Sequence, residues 1–331
     1  MSKHMIDRLR LVPLASVACA AALLVLAGGC AQKPKPGTYA TPEEAVAAAA
    51  ALVGTNNDPR TDEVFGPGSS EAFHTGDAAE DARLAAMVKQ MIAEKVEFED
   101  AEDGSKVALF GSKGWPFPIP LVKDGDRWRF DMQKGREEML NRRVGFYELS
   151  TLSSLHAYVD AQREYASVGR DGKPPAYAQK FRSSPGKHDG LYWEAEGDQQ
   201  SPLGALLADA ATREESAEPK PYHGYNYRIL TSQGQSAPGG ARNYVDAKGN
   251  MTGGFSAIAW PAKYGNSGVM TFVVSPKGIV YQKDLGPQTE TLAPAMQAFD
   301  PDASWEPTGD TLADVPDVDQ ELPAAEEEET R

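Results

Sequence analysis

Residues 41–306 of this 331-residue chain predict an α+β fold made of two domains, each running from helix into antiparallel strands. Two patterns and a length predict it. Apolar residues at three- and four-residue spacing give way to short β-like segments and an Asp124-Gly125 hairpin signal. A second such stripe, Leu149 to Ala166, precedes four further β-like segments. The span is long for one domain and comfortable for two.

The first domain, 41–143, opens on Thr41-Pro42-Glu43-Glu44, which combines an N-cap, a proline at the first helical position and a Glu at the third. Helix follows through Ala45 to Val53. Leu84, Met87, Val88 and Met91 then mark an amphipathic helix over 78–95 with one buried face. Strands are predicted at Lys106–Phe110, Phe117–Lys123 and Arg127–Asp131, the last two joined at Asp124-Gly125. Helices on one face of a curved antiparallel sheet satisfy this order.

The second domain, 144–306, begins near Val144 with a long helix whose buried stripe is Leu149, Leu152, Leu155, Val159 and Ala166. Asp160, Arg163 and Glu164 occupy its polar face. A loop-rich middle carries Pro174-Pro175, Ser184-Pro185-Gly186 and Pro219 to Pro221. Strands follow at Tyr225–Thr231, Gly253–Pro261, Val269–Ser275 and Ile279–Asp284, with Pro276-Lys277-Gly278 turning between the last two.

The ends have a different character. Lys3, Arg8 and Arg10 precede an almost wholly apolar run from Leu11 to Leu26, in the order of a secretory signal peptide over 1–29. The run is shorter than the ~20 residues a spanning helix needs. It closes on Leu26-Ala27-Gly28-Gly29-Cys30, which resembles the lipobox of bacterial lipoproteins and implies lipidation at Cys30. Cys19 lies inside the apolar run and leaves with it, so the mature chain keeps one cysteine, forms no internal disulfide and is anchored to a membrane by lipid. Ala31, where enterobacterial sorting would read Asp as retention, favours the outer membrane, facing the periplasm. Residues 30–40 form a tether with Lys33-Pro34-Lys35-Pro36-Gly37. Residues 307–331 form an acidic tail, expected to be disordered, ending Glu326-Glu327-Glu328-Glu329.

Removing the leader takes three bases and one acid from totals of 33 and 48, leaving 30 against 47 and a formal charge of −17. Such a surface repels phosphate backbones, which excludes a nucleic-acid role.

Several strings carry a resemblance across about Thr41 to Trp305. They are Trp115-Pro116-Phe117-Pro118-Ile119-Pro120-Leu121-Val122, Gly135-Arg136-Glu137-Glu138, Asn141-Arg142-Arg143, Tyr158-Val159-Asp160-Ala161-Gln162-Arg163-Glu164-Tyr165, Gly190-Leu191-Tyr192-Trp193, Tyr222-His223-Gly224-Tyr225 and Asp300-Pro301-Asp302-Ala303-Ser304-Trp305. Together they resemble a bacterial domain-of-unknown-function family of exported envelope proteins. The resemblance implies that both halves form one evolutionary unit connected by Arg136 to Arg143, and it brings no activity with it. In architecture the first domain resembles the nuclear-transport-factor-like cone. The second, with Tyr227-Arg228-Ile229 opening its sheet and Gly268 to Phe272 inside it, resembles the globular head of type IV pilins and pseudopilins. A lipobox and an intervening domain stand where a pilin has its N-terminal assembly helix, so filament formation is not implied.

Chemistry-bearing motifs are sparse. The mature chain's histidines, His74, His156, His188 and His223, are scattered, without HExxH, His-x-His or a cysteine pair for zinc. There is no GxSxG, Walker loop or GxGxxG, and no cofactor is expected. Asp300, Asp302 and Ser304 alternate like a calcium loop, but Trp305 stands where such a loop needs glycine, so a turn is the better reading. Asp171-Gly172 also reads as a turn.

One constellation suits a polar ligand or partner surface: Asp160, Arg163, Arg182, Lys187, His188, Asp189, Tyr192, Trp193, Tyr222, His223 and Tyr225. Rings supply stacking area and charges supply orientation. The structural alternative has Tyr and Trp capping the sheet while Asp160 and Arg163 pair on a helix surface. The chain therefore reads as a non-catalytic binding module for an envelope protein or polymer. The alternative is a hydrolase working with carboxylates and His188 or His223, for instance through a His188-Asp189 pair.

Overall fold

The computed structural model describes residues 37–55, 58–74, 78–194, 200–210 and 221–309. The leader, Cys30, most of the tether and the acidic tail from 310 onward lie outside the described residues. Among the described residues no helix is long and apolar enough to cross a membrane. The fold is mixed helix and antiparallel sheet, and the chain divides into two compact units. One holds the residues up to Trp115 together with Leu121–Phe130; the other holds Pro116–Pro120 and everything from Asp131.

In the first unit α1 (Pro42–Ala50) starts where the sequence places it, with Thr41 Oγ1 accepting the Glu44 N–H at 3.2 Å. A short α2 (Arg60–Phe65) follows. Asp62 holds the next loop, accepting the N–H groups of Gly68, Ser69 and Ser70 at 3.0–3.2 Å. Those bonds, the Gly68 N–H foremost, hold its carboxyl well below the usual carboxylate range. Helix α3 (Ala78–Glu94) leads into β1 (Val96–Asp100), β2 (Lys106–Phe110), a two-residue β3 (Trp115–Pro116), β4 (Leu121–Asp124) and β5 (Arg127–Phe130). The sheet runs β1-β2-β4-β5 with antiparallel pairing, and Phe65 packs on Phe130 with ring centroids 4.7 Å apart. The strand expected over Phe117–Lys123 is corrected to Leu121–Asp124. Pro118 and Pro120 have no N–H to give a ladder, so β4 starts only after them.

The second unit is organised by α4 (Met132–Ala166), a 35-residue helix about 52 Å long at 1.5 Å per residue. It begins well before Val144, and Arg136 to Arg143, expected as a connection, are helical. Asp131 caps its start, and the Glu138–Arg142 pair at 2.7 Å supports this charged stretch from one turn to the next. Gly135 is required there, because a Cβ would lie 2.7 Å from Ile119.

After α5 (Ala205–Ala210), strands β6 (Tyr225–Leu230), β9 (Ser256–Pro261), β10 (Met270–Val274), β11 (Val280–Asp284) and β12 (Glu306–Pro307) form one antiparallel meander in the order β12-β11-β10-β9-β6. A separate ribbon pairs β7 (Ser232–Gln233) with β8 (Arg242–Asn243). Side-chain alternation gives the sheet two covered faces. Tyr225, Tyr227, Ala257, Ala259, Phe272 and Val274 share a core with Leu155, Tyr158 and Val159 of α4. Leu230, Ile258, Trp260 and Val273 share another with Ala293 of α6 (Thr289–Ala295) and with Phe299. The result is three layers: helix, sheet, short helix and loop.

Buried polar groups fix the loop-rich middle onto α4. Gln162, fully buried, donates to Ala178 C=O (2.8 Å) and accepts from Ala178 N–H (2.9 Å), while the Tyr158 hydroxyl donates to Ser256 C=O (3.0 Å). Burial pushes the Tyr158 phenol far above its usual range, so it stays a neutral donor.

Candidate functional site

The last turn of α4 delivers Tyr165, and the chain then reverses through Arg170-Asp171-Gly172-Lys173. Lys173 N–H bonds Arg170 C=O at 2.9 Å, and both central residues are left-handed, Asp171 at φ 49° and Gly172 at φ 73°. Asp and Gly tolerate this conformation best, which is why the pair makes the turn. The turn presents the Asp171 carboxylate to His188, accepting its backbone N–H at 2.8 Å and facing its Nδ1 at 3.3 Å. The Tyr165 hydroxyl donates to His188 C=O at 2.6 Å. Trp193 stands behind, with the His188 ring edge-on at 4.7 Å.

These groups line an open cleft of about 230 Å³ whose other wall includes Tyr177, Asn250 and Met251. Its second acid, Asp189, accepts from Ser184 N–H (2.7 Å), Ser184 Oγ (3.0 Å) and Lys180 Nζ (3.0 Å). Partial burial pushes the Asp189 carboxyl up, but those three donors outweigh it and hold the group below its usual range. Lys180 also reaches Ser184 Oγ at 2.9 Å, yet its ammonium is engaged by Asp189 and serves an ion pair instead of a base beside a nucleophile.

Arg170 is placed differently. Its guanidinium carbon lies 5.0 Å from the Tyr165 ring centroid and 4.9 Å from that of Trp193. Its Nε is buried without a hydrogen-bond partner. Burial and the neighbouring charges act on Tyr165 together: desolvation raises its phenol, Arg170 lowers it, and Asp171 and Asp189 raise it, with a net upward shift.

The eleven residues expected to share a surface fall in three places. His188 and Asp189 line the cleft, Trp193 backs it, and Lys187 is exposed on the adjoining loop. Arg182 and Tyr192 stack beside it at 4.5 Å and are bridged through their backbones. Asp160 and Arg163 form an exposed 3.3 Å ion pair on α4, the arrangement of the structural alternative. Tyr222, His223 and Tyr225 lie beside the middle of that helix. His223 meets Phe146 edge-on at 5.6 Å, Tyr222 and His223 rings are 4.1 Å apart, and Tyr225 is fully buried with its hydroxyl on Met270 C=O at 2.9 Å. Phe146 and Tyr165 are 19 residues apart (165 − 146), about 28 Å along the axis. His188 and His223 therefore belong to separate environments. The proposed His188-Asp189 pairing is corrected: His188 faces Asp171, and Asp189 faces Ser184 and Lys180.

Asp300 holds the loop after β7 and Asp302 holds a local turn. Asp300 accepts the Ser236 N–H at 2.6 Å, Asp302 accepts the Ser304 N–H at 2.8 Å, and Lys283 Nζ sits 2.6 Å from Ser304 Oγ. Among the described residues no three His, Cys, Asp or Glu side chains gather as metal ligands.

Sequence reading missed Arg170 and the Asp171–His188 pair, whose partners are 17 positions apart. The only available signal was the Asp171-Gly172 turn, which fixes where Asp171 points but not what it meets.

The helix, the meander and this cleft define a two-unit α+β protein with a polar cleft. Residues 37–308 match the family described as protein of unknown function (DUF2950), and the chain belongs to that family. No curated protein matches the chain. No solved structure matches it.

Proposed function

We propose that this chain is a lipid-anchored protein of the bacterial cell envelope, exported by its leader and held by Cys30 in the outer membrane facing the periplasm. In this reading the second unit is a non-catalytic module that binds an envelope protein or polymer. The observation that carries the binding part is the dispersal of the titratable groups: about 28 Å of helix separates the surroundings of His188 and His223. The cleft's two acids are also engaged by neighbouring side chains and backbone. Catalysis needs such groups converging on one reacting atom, whereas binding needs a shaped surface with directed polar groups.

The architecture supports finer likenesses. In this reading the long helix on an antiparallel meander resembles a pilin-like head, and the helices with the sheet β1-β2-β4-β5 resemble a nuclear-transport-factor-like cone.

Crosslinking in intact cells, read by mass spectrometry for wild type and Cys30→Ala, tests the reading. The expected result is wild type in the outer-membrane fraction, crosslinked to a defined envelope component, and Cys30→Ala soluble without that crosslink. Equal fractionation of both forms contradicts the anchor.

A hydrolase is the second reading, favoured by the His188–Asp171 contact at 3.3 Å in the cleft wall. Hydrolysis of an envelope polymer that is lost in His188→Ala would establish it.

A further inference from the structure

We propose that the cleft at the end of α4 is a binding site for a small monocarboxylate with an apolar body, seated on the guanidinium of Arg170. This deepens the binding-module reading and rests on it.

The starting point is an imbalance of partners. Among the described residues the Arg170 side chain has no hydrogen-bonded or ion-paired partner, and its buried Nε is unsatisfied. A buried donor left unmade is costly, and the guanidinium that carries it lines the cleft, so the group calls for a partner that arrives there from outside. The nearby acids do not fill that role. Asp171 is held by the His188 backbone and ring, and Asp189 by Ser184 and Lys180. Tyr165 and Trp193 fix the guanidinium by ring contact, which leaves its hydrogen-bond donors for another group. Lys173 lines the same cleft and adds a second cation.

The ligand class follows from charge and walls. A guanidinium offers parallel N–H donors that match a carboxylate in bidentate fashion. Asp171 and Asp189 line the cleft too, so each further negative charge on a ligand meets repulsion, which favours a monoanion over a phosphate dianion. Tyr177, Pro174 and Met251 supply apolar wall for the ligand body. The volume, about 230 Å³, suits a compact molecule or the end of a chain.

The test uses the full chain in detergent, with hippurate as probe and its uncharged amide, inorganic phosphate and glucuronate as comparisons, each titrated by ligand-observed NMR. Hippurate should bind at least about tenfold more tightly than the amide, the worth of one charge-assisted contact. Arg170→Gln should lose about the same factor with its melting temperature retained, and Arg170→Lys should recover only part of the loss because it lacks the fork. Absence of hippurate binding to wild type overturns the inference, as does an Arg170→Gln chain that is folded and binds normally. Phosphate binding as tightly as hippurate overturns the carboxylate assignment, and glucuronate doing so overturns the apolar body. Where Arg170→Gln does not fold, the comparison of acid with amide on wild type decides by itself. A crosslinked envelope partner without hippurate binding would sink this inference and leave the binding-module reading standing; hippurate binding without a partner would do the reverse.

Discussion

The middle of α4, around Phe146, and its C-terminal end, around Tyr165, are built from similar residues and put to different use. Each has a histidine beside aromatic rings and a left-handed non-glycine residue, His223 at φ 46° near the middle and Asp171 at φ 49° near the end. Near Phe146 the polar groups close on the fold itself. Glu148 accepts the N–H groups of Val269 and Met270 at 2.9 and 3.0 Å, and the Tyr225 hydroxyl takes Met270 C=O. Near Tyr165 the acids are likewise engaged, but a cation remains over. Composition alone does not separate a structural cluster from a ligand cluster; the partner accounting does.

Substitutions sharpen that contrast. The largest effect on stability should come from Gln162→Ala, which strands both backbone groups of Ala178 in the core and should cost about 3 kcal/mol by urea denaturation. Loosening the loop beneath Tyr177 should weaken probe binding as well. Glu148→Ala should cost about 2 kcal/mol through the freed N–H groups of Val269 and Met270 while leaving hippurate affinity unchanged. A loss of affinity there would merge the two regions into one functional unit.

A smaller effect is expected from acid. The folded-state carboxyl of Asp189 lies below its ordinary value of 3.8, so its stabilisation is present above that value and fades as pH falls through the folded one. Asp189→Asn should therefore flatten the decline in melting temperature as pH falls below about 4. Smallest of all in stability is Arg170→Gln, expected within about 1 kcal/mol of wild type because the lost contacts with the Tyr165 and Trp193 rings are offset by relief of the unsatisfied buried Nε. Its effect belongs to the ligand.

Much of the fold was legible where residues face a core at a fixed period. Lys106–Phe110 is the strand its alternation predicts, the helix over 78–95 is found at Ala78–Glu94, and the four strands of the second unit keep their order. Two short elements escaped. Strand β1 alternates half-buried Val96 and Phe98 with exposed Glu97 and Glu99, but it follows Glu94 of α3 without a turn signal between them, and the six residues of α2 are too few to show a period. The opening turns of α4 carry Lys134, Arg136, Glu137, Glu138, Arg142 and Arg143, a polar run that reads as a linker although its charges pair along a helix. The cleft was half legible. His188 and Asp189 were singled out, but their partners come from separate loop segments, and only the fold brings Asp171, Tyr165 and Arg170 to them.

Hydrogen–deuterium exchange of the full chain with and without hippurate tests the central contrast most directly. The account predicts slower exchange in peptides covering Tyr165–Gly190 and Gly249–Met251, with Tyr222–Tyr225 and Val269–Met270 unchanged. Protection confined to Tyr222–Tyr225, or none anywhere at saturating probe, would contradict it.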